Sequence, residues 1–130
     1  MTIPENVTSI GNWAFSDCTS LTSVIIPHMV TSIGEGAFNN CCALTSISIP
    51  TNVTRIDDIA FNKCTGLTSV SIGNSVTYIG NWVFYRCSSI TDFYCHAENV
   101  PEIGSTAFNN SSSTSAILHV PASSINCVFR

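Results

Sequence analysis

Charge is scarce in this 130-residue chain. Its 8 acidic and 4 basic residues amount to 9% of the sequence, where soluble proteins carry about 25%. The basic residues Arg55, Lys63, Arg86 and Arg130 are scattered. A phosphate-neutralising surface needs clustered Lys and Arg, so nucleic acid is a poor match as a partner. No apolar run approaches the roughly 20 residues that span a bilayer. The N-terminal Met1-Thr2-Ile3-Pro4 has neither the basic nor the apolar region of a secretion signal. Cys-x-x-Cys pairs are missing too, and with them the usual zinc spacing. Apolar residues, at 45%, are present in ordinary amount, and the net charge is only -4. That balance excludes a disordered chain. A length of 130 residues fits one domain, on a prior of about 150 residues per domain.

The organising feature is a repeat of 23 residues. Val7, Val30, Val53 and Val76 share it, as do Ile10, Ile33, Ile56 and Ile79. So do Phe15, Phe38, Phe61 and Phe84, then Cys18, Cys41, Cys64 and Cys87, then Leu21, Leu44, Leu67 and Ile90. Units lie near 3–25, 26–48, 49–71 and 72–94. A fifth, at 95–121, has shifted spacing and Ser in place of Cys, and reads as a capping unit. Residues 122–130 read as a C-terminal tail.

A unit this short cannot bury its apolar set alone, but stacked copies can. Each unit ends in an alternation such as Ser23-Val24-Ile25-Ile26, the pattern of a half-buried strand. Strands are expected near 23–26, 46–49, 69–72 and 92–95. Gly11, Gly34, Gly80 and Gly104 follow Ile at a turn, with Asp57 in the same slot. A left-handed backbone would explain both residue types. The stretch Gly-x-x-Ala-Phe-x-x-Cys is short, and one helical or 3-10 turn is its simplest reading.

The unit Val-Thr-x-Ile-Gly-x-x-Ala-Phe-x-x-Cys-x-x-Leu-Thr-x-Val-x-Ile-Pro, recurring with substitutions at 7–27, 30–50, 53–73 and 76–96, resembles the BspA-like leucine-rich repeat. Residues 97–108 and 120–124 are similar to that family's C-terminal repeat. The resemblance implies a mainly β, right-handed leucine-rich-repeat solenoid with a parallel concave sheet and short helical turns on the convex side. It also implies an extracellular or cell-surface protein used for adhesion and protein binding. It carries over no catalytic residue. Because the chain opens inside a repeat with no N-terminal cap, it is expected to be a fragment of a longer protein, which would account for the missing signal.

Each candidate site also has a plainer reading. Stacked side chains in the Cys18, Cys41, Cys64 and Cys87 column point in parallel, so a ladder of buried free thiols is favoured over disulfides or a metal centre. Cys95 is placed in the core, whereas Cys42 and Cys127 lie off the pattern and are the expected exposed thiols. His28, His96 and His119 fall at turn or strand ends, where nucleophilic chemistry lacks a partner. Asp57 and Asp58 are adjacent and read as solvated turn residues. The Thr8, Thr31, Thr54 and Thr77 column fits inter-repeat hydrogen bonding better than a ligand-binding hydroxyl array. Trp13 and Trp82 share one column and serve equally well as partner platforms or packing caps. Asn6, Asn52, Asn109 and Asn110 head glycosylation sequons that matter only in a eukaryotic secretory context.

The outward strand positions remain. Ser23, Ser46, Ser69 and Asp92 form one column; Ile25, Ser48, Ser71 and Tyr94 form the other. Core packing does not dictate them, so a ligand would be read there. A flat, nearly uncharged face suits a protein ligand on a host or neighbouring cell better than a small molecule, which needs a deep pocket. The expected function is a non-enzymatic protein-binding or adhesion module, with a ligand-free spacer or self-associating stalk as the alternative. No cofactor and no metal are implied.

Overall fold

The structure is a computed structural model that describes residues 2–99, 101–111 and, as backbone, 117–119. Val120, Pro121 and the expected tail at 122–130 lie outside the described residues. Two parallel sheets run along the stack. One consists of two-residue strands: β1 (Ser9–Ile10), β2 (Ser32–Ile33), β4 (Arg55–Ile56), β6 (Tyr78–Ile79) and β8 (Glu102–Ile103), paired in that order. The other pairs the longer strands β3 (Ser46–Ile49), β5 (Ser69–Ile72), β7 (Asp92–Cys95) and β9 (Ile117–His119). The register of both follows the sequence period, with Ser46 opposite Ser69 and Ser69 opposite Asp92.

The apolar columns form one core between the sheets. Phe38, Phe61 and Phe84 are fully buried. Their rings continue a stack from Phe15, with centroids 5.2, 5.2 and 5.7 Å apart and planes within 13° of parallel. Phe108 extends it at 5.3 Å. These separations fall in the range of favourable offset stacking. Phe93 closes the end edge-on, 5.6 Å from Phe84 and 5.4 Å from Phe108. The stacking repeat of the rings therefore matches the spacing of strands in a ladder, about 4.8 Å, plus a small offset.

Three expectations are corrected. The first concerns the helical turns: no helix occurs among the described residues. Trp13, Gly36, Ile59 and Trp82 have φ of 58°, 62°, 66° and 56°, and Asp17, Asn40, Lys63, Arg86 and Asn110 have φ between 55° and 62°. Left-handed residues at those places interrupt a helix. They also turn alternate N–H groups outward to the next repeat. Trp13 N donates to Glu35 O at 2.8 Å, Phe15 N to Ala37 O at 2.7 Å and Asp17 N to Asn39 O at 2.8 Å. The N–H groups between them close tight turns, as Ala14 N does on Gly11 O at 3.2 Å. Backbone groups that a helix would satisfy internally instead link one repeat to the next.

The second concerns the Gly column. Gly11, Gly34, Gly80 and Gly104 are not left-handed. Their role is close approach: a Cβ at Gly34, Gly80 or Gly104 would collide with Asn12, Asp58 or Asn81 of the preceding repeat. Two of those side chains fold back to cap the following turn. Asn12 Oδ1 accepts from Glu35 N and Asp58 Oδ1 from Asn81 N, each at 2.9 Å. The residue facing Asp57 is Glu35, which makes no such cap, and a side chain is accommodated there.

The third concerns the first strand. Residues 23–26 form no strand; only the parallel bridge between Thr2 and Ile25 is present. Thr45 N reaches Thr22 O at 3.4 Å, against 2.8 Å for both Thr68 to Thr45 and Thr91 to Thr68. Among the described residues the first repeat has no full unit ahead of it, and so fewer neighbours to hold its register.

Candidate functional site

The strand face is built by alternation. In β3, β5 and β7 the residues Ile47, Val70 and Phe93, with Ile49, Ile72 and Cys95, turn into the core. The intervening residues must then point out. Ser46 and Ser48 are exposed, and Ser69, Ser71, Asp92 and Tyr94 are half-buried. The ladder brings six of the eight expected positions together, as the rows Ser46–Ser69–Asp92 and Ser48–Ser71–Tyr94. Ser23 and Ile25 are exposed beyond the edge of that ladder, with Ile25 at 76% exposure. Tyr94 lies nearly parallel to His96, with ring centroids 6.5 Å apart and 8° between planes. Next to them Ser48, Ser71, Asn74 and His96 line a shallow depression of about 270 Å³.

Hydroxyl columns tie the repeats on the sides of this face. Thr31, Thr54 and Thr77 each donate through Oγ1 to the carbonyl of the preceding Thr, at 3.2, 3.3 and 3.1 Å. The inter-repeat role read from the sequence therefore holds. A second threonine ladder escaped sequence reading: Thr68 Oγ1 to Thr45 O at 3.0 Å and Thr91 Oγ1 to Thr68 O at 3.2 Å. Its signal was available at the same period in Thr22, Thr45, Thr68 and Thr91.

The six cysteines among the described residues are free, and the column is buried at Cys41, Cys64 and Cys87. Each thiol donates to a carbonyl of the preceding repeat: Cys41 to Phe15 O at 3.2 Å, Cys64 to Phe38 O at 3.3 Å and Cys87 to Phe61 O at 3.2 Å. Burial pushes the Cys41 thiol up to about 11 and the Cys87 thiol up to about 12, and raises Cys64 as well. Protonated thiols of this kind are neither nucleophiles nor metal ligands. Cys42 is partly exposed; Cys127 lies outside the described residues.

The remaining ionisable groups are engaged separately. Asp57 pairs with Arg55, whose guanidinium lies 4.2 Å from the Tyr78 ring centroid. Asp58 is the turn cap described above. His28 meets Glu5 at 3.5 Å on the exposed surface. Among the described residues no group of three or more His, Cys, Asp or Glu could hold a metal ion. Nor is any helix among them long and apolar enough to cross a membrane.

The turn edge carries features that the sequence reading did not assemble. Asn62 Nδ2 donates to Asn39 Oδ1 at 2.8 Å and Asn39 Nδ2 to Ser16 Oγ at 3.3 Å, forming a polar ladder. Tyr85 takes the next place in that column. It meets Trp82 at 6.4 Å between ring centroids and Arg86 at 5.2 Å. Asn110, donating to the Tyr85 hydroxyl at 3.4 Å, lowers the phenol pKa below its ordinary value, and Arg86 adds to the effect. The signal for this cluster was the break from Ser16, Asn39 and Asn62 to Tyr85 at constant spacing.

Comparison with known proteins agrees with this geometry. Residues 1–115 match the model of the BspA type leucine rich repeat region, in 6 copies. A leucine-rich repeat protein of T. pallidum, of known crystal structure, is 32% identical with a TM-score of 0.76, over 84% of this chain and 53% of that one. A leucine rich cell surface protein of Faecalibacterium prausnitzii is 31% identical with a TM-score of 0.71, over 95% of this chain and 38% of that one. A leucine-rich repeat protein of Bacteroides ovatus is 25% identical with a TM-score of 0.68, over 95% and 43%. This chain thus spans between 38% and 53% of the lengths of these solved structures. No curated protein matches it. On its repeat, its two parallel ladders and these matches, the chain belongs to the BspA-type leucine-rich repeat family.

Proposed function

We propose that the chain is a non-enzymatic protein-binding or adhesion module of a cell-surface protein, and that the outward face of β3, β5 and β7 reads the partner. The observation that carries this reading is the in-register presentation of Ser46, Ser48, Ser69, Ser71, Asp92 and Tyr94. All six lie outside the buried core. Tyr94 offers contact area with a polar tip, and Ile25 offers an exposed aliphatic anchor in the first repeat. Each Ser hydroxyl between them adds about 1 kcal/mol at most. A net charge of -4 gives little electrostatic steering, so salt should matter little. The F. prausnitzii relative, described as a cell surface protein, supports the location.

A second reading, a spacer or stalk that associates end to end, has its own observation. Val7, Phe15, Cys18 and Leu21 of the first repeat are only partly buried, whereas Val30, Phe38, Cys41 and Leu44 are fully covered. In the 130-residue chain taken alone these faces are open, and open apolar faces associate.

The test is the double variant Tyr94→Ala with Ile25→Asp against a panel of immobilised extracellular-matrix proteins. Loss of binding at little-changed melting temperature is the expected result. Binding that persists unaltered removes the site from this face. Failure of the unmodified protein to bind any member of the panel favours the spacer.

A further inference from the structure

Trp82 stands on the turn edge of the fourth repeat, 48% exposed. Its left-handed backbone belongs to the column, because Trp13, Gly36 and Ile59 share it. Glycine takes that conformation most easily, and a bulky aromatic takes it reluctantly. Nothing in the core requires an indole there. Trp13 has a packing role, since its ring lies over Gly36 where a Cβ would collide with it. Trp82 instead forms the wall between two open grooves. Glu35, Asp58, Asn81 and Thr106 line one, of about 230 Å³. Asn62, Lys63, Tyr85, Asn109 and Asn110 line the other, of about 460 Å³.

A second, independent observation lies in the larger groove. Where Tyr85 breaks the amide ladder, Asn62 Oδ1 is the buried side-chain acceptor left without a partner among the described residues. Buried polar atoms are normally satisfied, so the orphan marks the point where the amide ladder stops and the turn edge changes character at Tyr85.

We propose that this ridge binds a neutral oligosaccharide, with the Trp82 and Tyr85 rings against the apolar faces of sugar rings and the exposed amides of Asn81, Asn109 and Asn110 bonding its hydroxyls. The C–H face of a pyranose is weakly positive and suits the negative face of an aromatic ring. An amide offers a donor and an acceptor together, as a hydroxyl does. Carboxylates line one groove and an ammonium lines the other, so neither a polyanion nor a polycation suits the whole ridge. Both grooves are open and mix apolar with polar lining, which matches the mixed C–H and hydroxyl surface of a sugar, whereas a protein anchor needs a fully desolvated pocket. This site lies apart from the strand face and does not depend on it.

The test is a tryptophan-fluorescence titration of the full chain with neutral hexasaccharides of glucose, mannose, galactose and N-acetylglucosamine. Saturable binding of at least one is expected. Trp82→Gly removes the ring and leaves a residue that the column already holds at Gly36; its affinity, read by calorimetry, should fall about tenfold or more, equivalent to about 1.4 kcal/mol. Asn109→Ala, a change at an exposed side chain, should weaken binding about threefold, and Trp13→Phe should leave it unchanged. The proposal is overturned if no sugar in the panel binds, or if Trp82→Gly and Asn109→Ala both bind like the unmodified protein. It is also overturned if Trp82→Gly abolishes capture of a matrix protein while every sugar is ignored, which would make the ridge a protein anchor.

Discussion

Replacing Phe61 by Ala removes the middle ring of a continuous aromatic stack. Phe61 is fully buried and sits between Phe38 at 5.2 Å and Phe84 at 5.7 Å. Phe→Ala at a closed site costs about 3–5 kcal/mol, because transfer energy and the remaining cavity add. The upper part of that range is expected here, since the two flanking backbones are tied repeat to repeat through Phe38 N to Ala60 O and Phe61 N to Val83 O and cannot collapse inward. Phe15 is the control. It is only partly buried and has one ring neighbour, Phe38, so Phe15→Ala should cost about 1–2 kcal/mol. Against a total of about 5–15 kcal/mol the first change consumes much of the stability. Urea unfolding followed by tryptophan fluorescence measures both, with Trp13 and Trp82 reporting from the first and fourth repeats. A Phe61→Ala cost below about 1 kcal/mol, or equal to that of Phe15→Ala, would refute the stacked-core reasoning.

Two further outcomes follow from the thiol column and from the first repeat. Burial raises Cys41 from 9.0 to about 11 and Cys87 from 9.0 to about 12, so between pH 9 and those values the folded chain holds protons that the unfolded chain releases. Stability is then full below pH 9 and falls as pH rises, by up to about 1.4 kcal/mol per unit for each thiol. Urea midpoints that stay flat from pH 9 to 11 would contradict this, as would reaction of Cys41, Cys64 or Cys87 with a disulfide reagent before denaturation. Studied alone, the 130-residue chain leaves Val7, Phe15 and Leu21 half-covered and should form dimers or stacked fibres through that face; light scattering that shows a strict monomer at millimolar protein would count against it.

The parts of the fold that were legible in the sequence are those fixed by burial. Ser46–Ile49, Ser69–Ile72 and Asp92–Cys95 fall where alternation placed them, because a strand with one buried face has to alternate. The Phe and Cys columns stack because only stacking hides them. What escaped was set by backbone hydrogen bonding, which leaves little trace in side-chain pattern. Trp13, Ile59 and Trp82 are not residues that announce a left-handed turn, yet they adopt one, since it lets every second N–H reach the next repeat. The short ladder of β1, β2, β4, β6 and β8 has two residues per strand, too few for an alternation to be visible. At the strand face the columns were legible in full, but the loosened row at 23–26 was not, because it depends on how many neighbours a repeat has. The Trp82 and Tyr85 ridge was legible only as two substitutions, and their meeting required the turn geometry.

Backbone amide chemical-shift mapping during titration with a matrix protein that binds tests the central claim most directly. The account predicts perturbations concentrated on Ser46–Ile49, Ser69–Ile72 and Asp92–Cys95, with Tyr94 among the largest. Perturbations that leave those strands untouched and gather elsewhere on the solenoid would contradict it.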